Sequence, residues 1–274
     1  MDLADRVVVV TGGGSGIGEA LVRAAAGAGA RHVVAADLDG DNAERVAKEV
    51  GGTGVRLDVR DEDAIGALVE DTQSAHGPID LFCSNAGFVT RGGVEETNER
   101  IQAMWEVHVM AHIYAARAVL PSMIARGEGY LLNTASAAGL LTQIGSVSYT
   151  ITKHAAVALA EWLAITHHHQ GIRVSLLAPQ AVETNIVANS PDQRETEGLV
   201  GGVAAADGVV TAEAAAQACL DAIAEERFWV LPHPEVATYV ERKATDIDRW
   251  LNGMRRFQAS LYLDQPLPGD AIAP

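Results

Sequence analysis

Positive charge is scarce in this chain. Twenty lysines and arginines stand against 36 aspartates and glutamates, for a formal net charge of −16. The basic residues are scattered, without the cluster that would track a phosphate backbone, so nucleic acid is not expected as a partner. Cysteine is nearly absent. Two residues, Cys83 and Cys219, cannot build a disulfide framework, which fits a reducing compartment. No run reads as long and apolar enough to span a bilayer. The first residues, Met1-Asp2-Leu3-Ala4-Asp5, are acidic and lack the apolar core of a secretion signal. The expectation is a cytoplasmic protein with no membrane partner. Internal repeats are missing, and no linker marks a second unit, so residues 1–274 read as one domain.

Apolar residues make up 48% of the chain, ample for a buried core. Residues 6–11 read R-V-V-V-V-T, and four consecutive valines predict a strand buried on both faces, as in a parallel sheet covered by helices. The strand runs into T-G-G-G-S-G-I-G, residues 11–18, and then an alanine-rich helix to about residue 29. Glycines let backbone N–H groups approach a pyrophosphate, and the helix N-terminus adds partial positive charge. A glycine-rich turn between strand and helix is the context of dinucleotide binding. A second strand at 32–36 ends at Asp37, placed to accept hydrogen bonds from ribose hydroxyls and to repel a 2′-phosphate. No lysine or arginine among residues 12–18 or at Leu38 offsets it, which favours NAD over NADP.

Further strands are predicted at 55–59, 79–83, 130–134, 174–177 and 228–231. Helices are predicted at 42–50, 61–77 (capped by Asp61), 97–126 (bent or ended at Pro121), 149–170 and 211–226. Strands alternating with helices mean an α/β fold with a doubly wound parallel sheet of seven strands and helices on both faces. Ligands of such sheets sit at the carboxyl ends of the strands, where Thr11, Asp37, Asp58 and Asn85 all fall. Residues 185–210 lack a clear period and read as a loop covering substrate, and 233–274 as a helical extension with one helix over 235–260.

The chemistry concentrates in residues 136–153, S-A-A-G-L-L-T-Q-I-G-S-V-S-Y-T-I-T-K. Tyr149 and Lys153 are four apart and share one helix face, and Ser136 precedes them at the end of the fifth strand. An ammonium about 4 Å from a phenol, at an effective dielectric near 20, favours the phenolate by about 4 kcal/mol. That suffices to bring a group of pKa roughly 10 towards neutrality, where acid–base catalysts work best. His108 and His112 are also four apart, but no third ligand is evident and no metal is expected. Cys83 reads as a buried strand residue, not a nucleophile.

Together these motifs resemble the short-chain dehydrogenase/reductase family, over residues 5 to about 232 and with six motifs in order. T-G-G-G-S-G-I-G matches its T-G-x-x-x-G-x-G turn and Asp58-Val59 its adenine-contacting pair. S-N-A-G at 84–87 stands for N-N-A-G, Ser136 with Y-T-I-T-K matches its Ser…Tyr-x-x-x-Lys triad, and P-Q-A-V-E-T at 179–184 stands for P-G-x-V-x-T. The resemblance implies a Rossmann-type fold and hydride transfer between a carbinol carbon and a nicotinamide. Tyr149 would be the acid–base, Lys153 would lower its pKa and bind ribose, and Ser136 would hold the substrate oxygen. It implies a cofactor cleft of Gly12, Ser15, Gly16, Ile17, Gly18, Asp37, Leu38, Asp58, Val59, Asn85, Ala86, Gly87, Tyr149, Lys153, Pro179, Val182 and Thr184, the last two fixing the carboxamide. It also implies a homo-oligomer, tetramer or dimer, joined through the two long helices and the seventh strand.

Two positions depart from the family pattern. His108 stands where an asparagine usually helps hold a relay water, and its ring, titrating near neutral pH, could carry a proton. Gln180 replaces a glycine and would face the substrate. Phe88, Val89, Leu140, Leu141, Ile144, Ile186 and Val187 make the expected substrate side mostly apolar, with Gln143, Ser146 and Gln180 as polar contacts. That suits a small-molecule hydrophobic secondary alcohol or ketone. The competing reading is a catalytically silent NAD-binding regulator on the same fold.

Overall fold

The computed structural model describes residues 1–184, 186, 190 and 205–263. In chain order the elements are β1 (Val7–Thr11), α1 (Gly16–Gly27), β2 (His32–Asp37), α2 (Gly40–Glu49), β3 (Thr53–Arg56), α3 (Glu62–His76), β4 (Leu81–Ser84), α4 (Asn98–Trp105), α5 (Ala111–Arg126), β5 (Gly129–Thr134), α6 (Val147–His167), β6 (Ile172–Leu177), β7 (Val182–Glu183), β8 (Val210–Thr211), α7 (Ala212–Ala224), β9 (Trp229–Val230), α8 (Glu235–Thr245) and α9 (Ile247–Leu261). Seven strands form one parallel sheet in the order β3-β2-β1-β4-β5-β6-β9, and β7 pairs with β8 apart from it.

Every residue of β1 and β5 is buried, as continuous apolar strands in a covered parallel sheet require. Side chains alternate between the two faces. Val7 and Val9 pack with Ile65, Leu68, Val119, Met123, Ala160 and Leu163 of α3, α5 and α6. Val8 and Val10 pack with Leu21, Ala25, Val46, Ala215, Cys219 and Ile223 of α1, α2 and α7. The order reverses between β1 and β4, which opens a crevice at their carboxyl ends. Gly18 permits the tight approach of α1 to that crevice: a Cβ there would lie 1.9 Å from the Gly12 carbonyl oxygen.

Several boundaries differ from the sequence expectation. β3 spans Thr53–Arg56, not 55–59, because Leu57 makes its last bond to the Asp37 carbonyl and Asp58 then opens a turn with Asp61. The helix expected over 97–126 does not end at Pro121, which sits inside α5. It passes instead through a π-helical turn at Glu106–Met110. Residues 98–126 are thereby a continuous 29-residue helix, long and apolar enough by length and composition to cross a membrane, contrary to the expectation. Half of its most apolar window is buried within the protein, where Ala115, Val119 and Met123 join the core. The tail is two helices, not one. Asp246 leaves helical geometry and its carboxylate accepts from Arg249 N at 3.0 Å, starting α9 afresh. The loop expected at 185–210 lies mostly outside the described residues, Val187 included.

Candidate functional site

Three carboxyl ends meet at the crevice. Thr11 Oγ1 accepts from the backbone of Asn85 at 3.0 Å and of Ala86 at 3.3 Å. The Asn85 amide donates to Thr11 O at 3.2 Å and its oxygen accepts from Thr134 Oγ1 at 3.1 Å. Asn85 therefore ties β1, β4 and β5 together. Beside it, Gly12 has φ +66°, and a Cβ there would meet Ala86 Cα at 2.9 Å. The turn can hold its shape only as glycine. Ser15 is the N-cap of α1, so Gly16, Ile17 and Gly18 form its first turn and direct their N–H groups into the crevice. Thr184 returns to this turn: its Cβ lies 3.1 Å from where a Cβ of Gly16 would be.

Asp37 ends β2 next to the turn. Its carboxylate accepts from Gly14 N at 2.9 Å and Asp39 N at 3.0 Å, one bond to each oxygen, which leaves lone pairs on both. Leu38 is exposed beside it. The fold does bring a cation to the glycine turn that local reading had missed, because it comes from α2. Arg45 donates to Gly14 O at 3.2 Å, but Glu19 at 3.2 Å and Glu49 at 3.3 Å already hold its guanidinium. Asp58 is paired with Arg60 at 2.6 Å, which holds its carboxyl below the usual range, and Val59 follows it as a buried residue. The donor set fits a dinucleotide: free N–H groups at a helix start, a carboxylate with spare acceptor capacity, and an apolar rim.

Ser136, Tyr149 and Lys153 converge beside the loops after β4 and β5, with Lys153 Nζ 3.7 Å from where a Cβ of Gly87 would be. Ser136 opens a three-residue 3₁₀ turn, Ala137–Gly139; its Oγ accepts from Ala138 N at 3.1 Å and donates to Pro179 O at 3.3 Å. Tyr149 enters on the first turn of α6, capped by Ser146 Oγ at 3.4 Å. Ser146 is thus consumed as a helix cap and buried, not available as the expected polar substrate contact. Lys153 lies one turn on, buried, with Nζ 5.5 Å from the Tyr149 ring centroid and donating a hydrogen bond to Thr134 O at 3.2 Å.

The electrostatics reverse the sequence expectation for this pair. Burial raises the Tyr149 pKa, opposed by a hydrogen bond from Ser136. Burial also lowers Lys153 to about 7. A lysine that is itself poorly charged and set against the ring face cannot supply the attraction expected for a full charge about 4 Å away.

His108 also differs from expectation. The π turn rotates it into the interior, where it is fully buried. Its Nε2 accepts from Phe88 N at 3.2 Å, so the proton sits on Nδ1, which donates to Thr152 Oγ1 at 3.0 Å. Burial, and then Lys153, hold its pKa well below the ordinary value, so it does not titrate near neutral pH. Both nitrogens are spent on protein partners, and the ring pins the loop after β4 to α6. His112 turns away to Asn133, whose amide donates to Nδ1 at 3.0 Å, and burial lowers it to about 3. Cys83 is buried in β4 with its thiol pushed well up, and no nucleophilic role follows.

Thr152, Thr134 and Ser190 were not legible as site residues. Ser190 Oγ accepts from Val89 N at 3.1 Å. None carries a motif of its own; each acts through a carbonyl or hydroxyl that only the fold aims.

The sequence profile for short chain dehydrogenase matches residues 6–195. The chain belongs to the short-chain dehydrogenase family. Among its relatives, 1-deoxy-11-beta-hydroxypentalenate dehydrogenase of Streptomyces exfoliatus is 33% identical over 91% of this chain and 90% of its own. The 2,5-dichloro-2,5-cyclohexadiene-1,4-diol dehydrogenase of Sphingobium indicum is 35% identical over 70% of this chain and 78% of its own. A solved short chain dehydrogenase/reductase from Burkholderia phymatum, in complex with NAD, superposes with a TM-score of 0.81 at 29% identity, over 90% of this chain and 96% of that one. This short-chain dehydrogenase is therefore an oxidoreductase on a Rossmann-type sheet, with its crevice where the family's fold places one.

Proposed function

We propose that the protein is an NAD-dependent oxidoreductase acting on a hydrophobic secondary alcohol or the matching ketone. The observation that carries this reading is the convergence of Ser136, just past the carboxyl end of β5, with Tyr149 and Lys153 on the first turns of α6. A bound nicotinamide supplies the hydride acceptor or donor; the protein supplies position and protons. Tyr149 takes the carbinol proton at its phenolic oxygen during oxidation and returns it during reduction. Ser136 turns its one hydroxyl proton from Pro179 O to the substrate oxygen and holds that oxygen beside the phenol. Lys153 holds a ribose hydroxyl while anchored on Thr134 O. Pro179, Val182 and Thr184 line the carboxamide end, and Ala86 and Gly87 pass beside the ribose. His108 acts through Phe88 and Thr152, as a positioning residue.

NAD is favoured because Asp37 would repel a 2′-phosphate and Arg45 is already neutralised by two glutamates. A hydrophobic, small-molecule alcohol is supported by the half-buried Phe88 and Leu140 and the buried Val89 and Ile144. It is also supported by the Sphingobium relative, named for a ring diol. The two buried, unpaired thiols suit a cytoplasmic setting. Fluorescence titration with NADH and NADPH, followed by a panel of secondary alcohols read at the reduced-nicotinamide absorbance, tests the proposal. Tight NADH binding with NADPH weaker by at least about tenfold, a gap of roughly 1.4 kcal/mol, is expected. Preference for NADPH would overturn the cofactor assignment.

A further inference from the structure

The C-terminal helices reach three separate loops at the carboxyl edge of the sheet. After β6, Gln180 N donates to Nδ1 of the buried His233, just ahead of α8, at 3.2 Å. From α8, the Tyr239 hydroxyl donates to Asp207 Oδ1 at 2.8 Å, and Asp207 Oδ2 accepts from Gln180 Nε2 at 2.8 Å. Lys243 Nζ donates to the carbonyls of Leu140 and Leu141, each at 2.9 Å. At the far end of α9, the Tyr262 ring lies 5.6 Å from the Arg91 guanidinium carbon. The tail thus spans the loops after β4, β5 and β6, which carry Phe88, Ser136 and Thr184.

Lys243 occupies the most consequential of these contacts. Leu140 closes the 3₁₀ turn that Ser136 opens. The last carbonyls of a helical turn lack partners within it and favour a cationic donor. Lys243 answers both needs, and its ammonium also stands 5.2 Å from the Trp250 ring centroid, so one side chain joins the Ser136 turn, α8 and α9. The Gln180 strap carries a cost. Asp207 fixes the amide orientation, which leaves Gln180 Oε1 buried without a partner among the described residues, and His233 Nε2 is left likewise. A brace serving stability alone would do better with apolar side chains.

Resting on the dehydrogenase reading above, we propose that Lys243 and the Tyr239–Asp207–Gln180 chain couple α8 to the loops after β5 and β6 and hold them in register. Lys243 positions the Ser136 turn, and the Tyr239–Asp207–Gln180 chain fixes the substrate-side edge, so that the tail sets how a hydrophobic alcohol meets the phenol. Lys243 and Tyr239 are positioning residues. The test uses the full chain and the variants Lys243→Met, Lys243→Arg and Tyr239→Phe. Amide exchange of residues 138–141, measured with and without NADH, should quicken by roughly tenfold in Lys243→Met and return towards the parent rate in Lys243→Arg. For cyclohexanol or 1-phenylethanol, whichever the parent oxidises faster, KM should rise roughly tenfold in Lys243→Met and Tyr239→Phe, with kcat within about twofold and NADH affinity unchanged. Parent-like exchange at 138–141, an unchanged KM, or no rescue by arginine would overturn the proposal. Failure of the parent to bind NADH would instead defeat the dehydrogenase reading, while the exchange arm still decides whether Lys243 holds the turn.

Discussion

A single phenol carries the proposed chemistry, and its surroundings fix what its replacement should do. Tyr149→Phe removes the proton carrier while leaving the packing, so turnover should fall by about 10²–10⁴-fold with NADH affinity retained. Steady-state rates beside a fluorescence titration check this; unchanged turnover would sink the assignment. Because burial raises the Tyr149 pKa, alcohol oxidation should climb as pH rises above neutral, without a plateau already reached at pH 6. Lys153 makes a separate thermodynamic statement. Its folded pKa of about 7 lies below the ordinary 10.5, so folding releases a proton between those values and stability should rise with pH across that window. Lys153→Met should therefore melt higher than the parent near pH 7, with the gap closing towards pH 10.5, as calorimetry at several pH values would show. The buried histidines act at the other end. His112 titrates near 3 when folded and near 6.5 when not, so its share of stability is present above pH 6.5 and lost as pH falls towards 3.

At the scale of elements, two devices align the strands and helices that bear the site. The π turn at Glu106–Met110 turns His108 inward, where it bridges the loop after β4 and α6. His108→Leu would orphan the Phe88 N–H and should cost about 2 kcal/mol in a urea unfolding experiment. Asp80, buried ahead of β4, accepts from Val7 N at 2.9 Å and pairs with Arg6 at 3.3 Å and Arg126 at 3.1 Å. It locks β1 and β4 side by side with the end of α5. Asp80→Ala leaves the buried Val7 N–H unanswered and removes one partner each from Arg6, which keeps Glu128, and Arg126, which keeps the Ile79 carbonyl, so it should destabilise the fold by about 2 kcal/mol, read by the same method. A loss below about 1 kcal/mol would show that the crevice does not depend on this lock.

For the whole molecule, four of the exposed large apolar residues stand on two neighbouring helices: Trp105 at the end of α4, and Ile151, Trp162 and Ile165 on α6, the last 79% exposed. A row of large apolar side chains on neighbouring helices is a surface that association would cover. If the homo-oligomer that the family resemblance implies forms through this surface, Trp162→Glu with Ile165→Glu shifts the sedimentation coefficient to that of a 28.8 kDa monomer. A parent that already sediments as a monomer would refute it.

The sequence by itself determined the layered α/β sheet, because alternation of apolar strands and helices is a local property, and buried valine runs admit only a covered parallel sheet. It also made the glycine turn, Asp37 and the Ser136, Tyr149 and Lys153 set legible as candidates, since each is carried by spacing along a short stretch. What the tertiary structure decided concerns groups far apart in the chain. Arg45 reaches Gly14 from another helix, Ser146 turns out to be a cap, and Lys243 finds carbonyls about a hundred residues away. The charge states of Tyr149, Lys153 and His108 belong there too. Desolvation depends on what surrounds a group on every side, and spacing along a chain does not contain that.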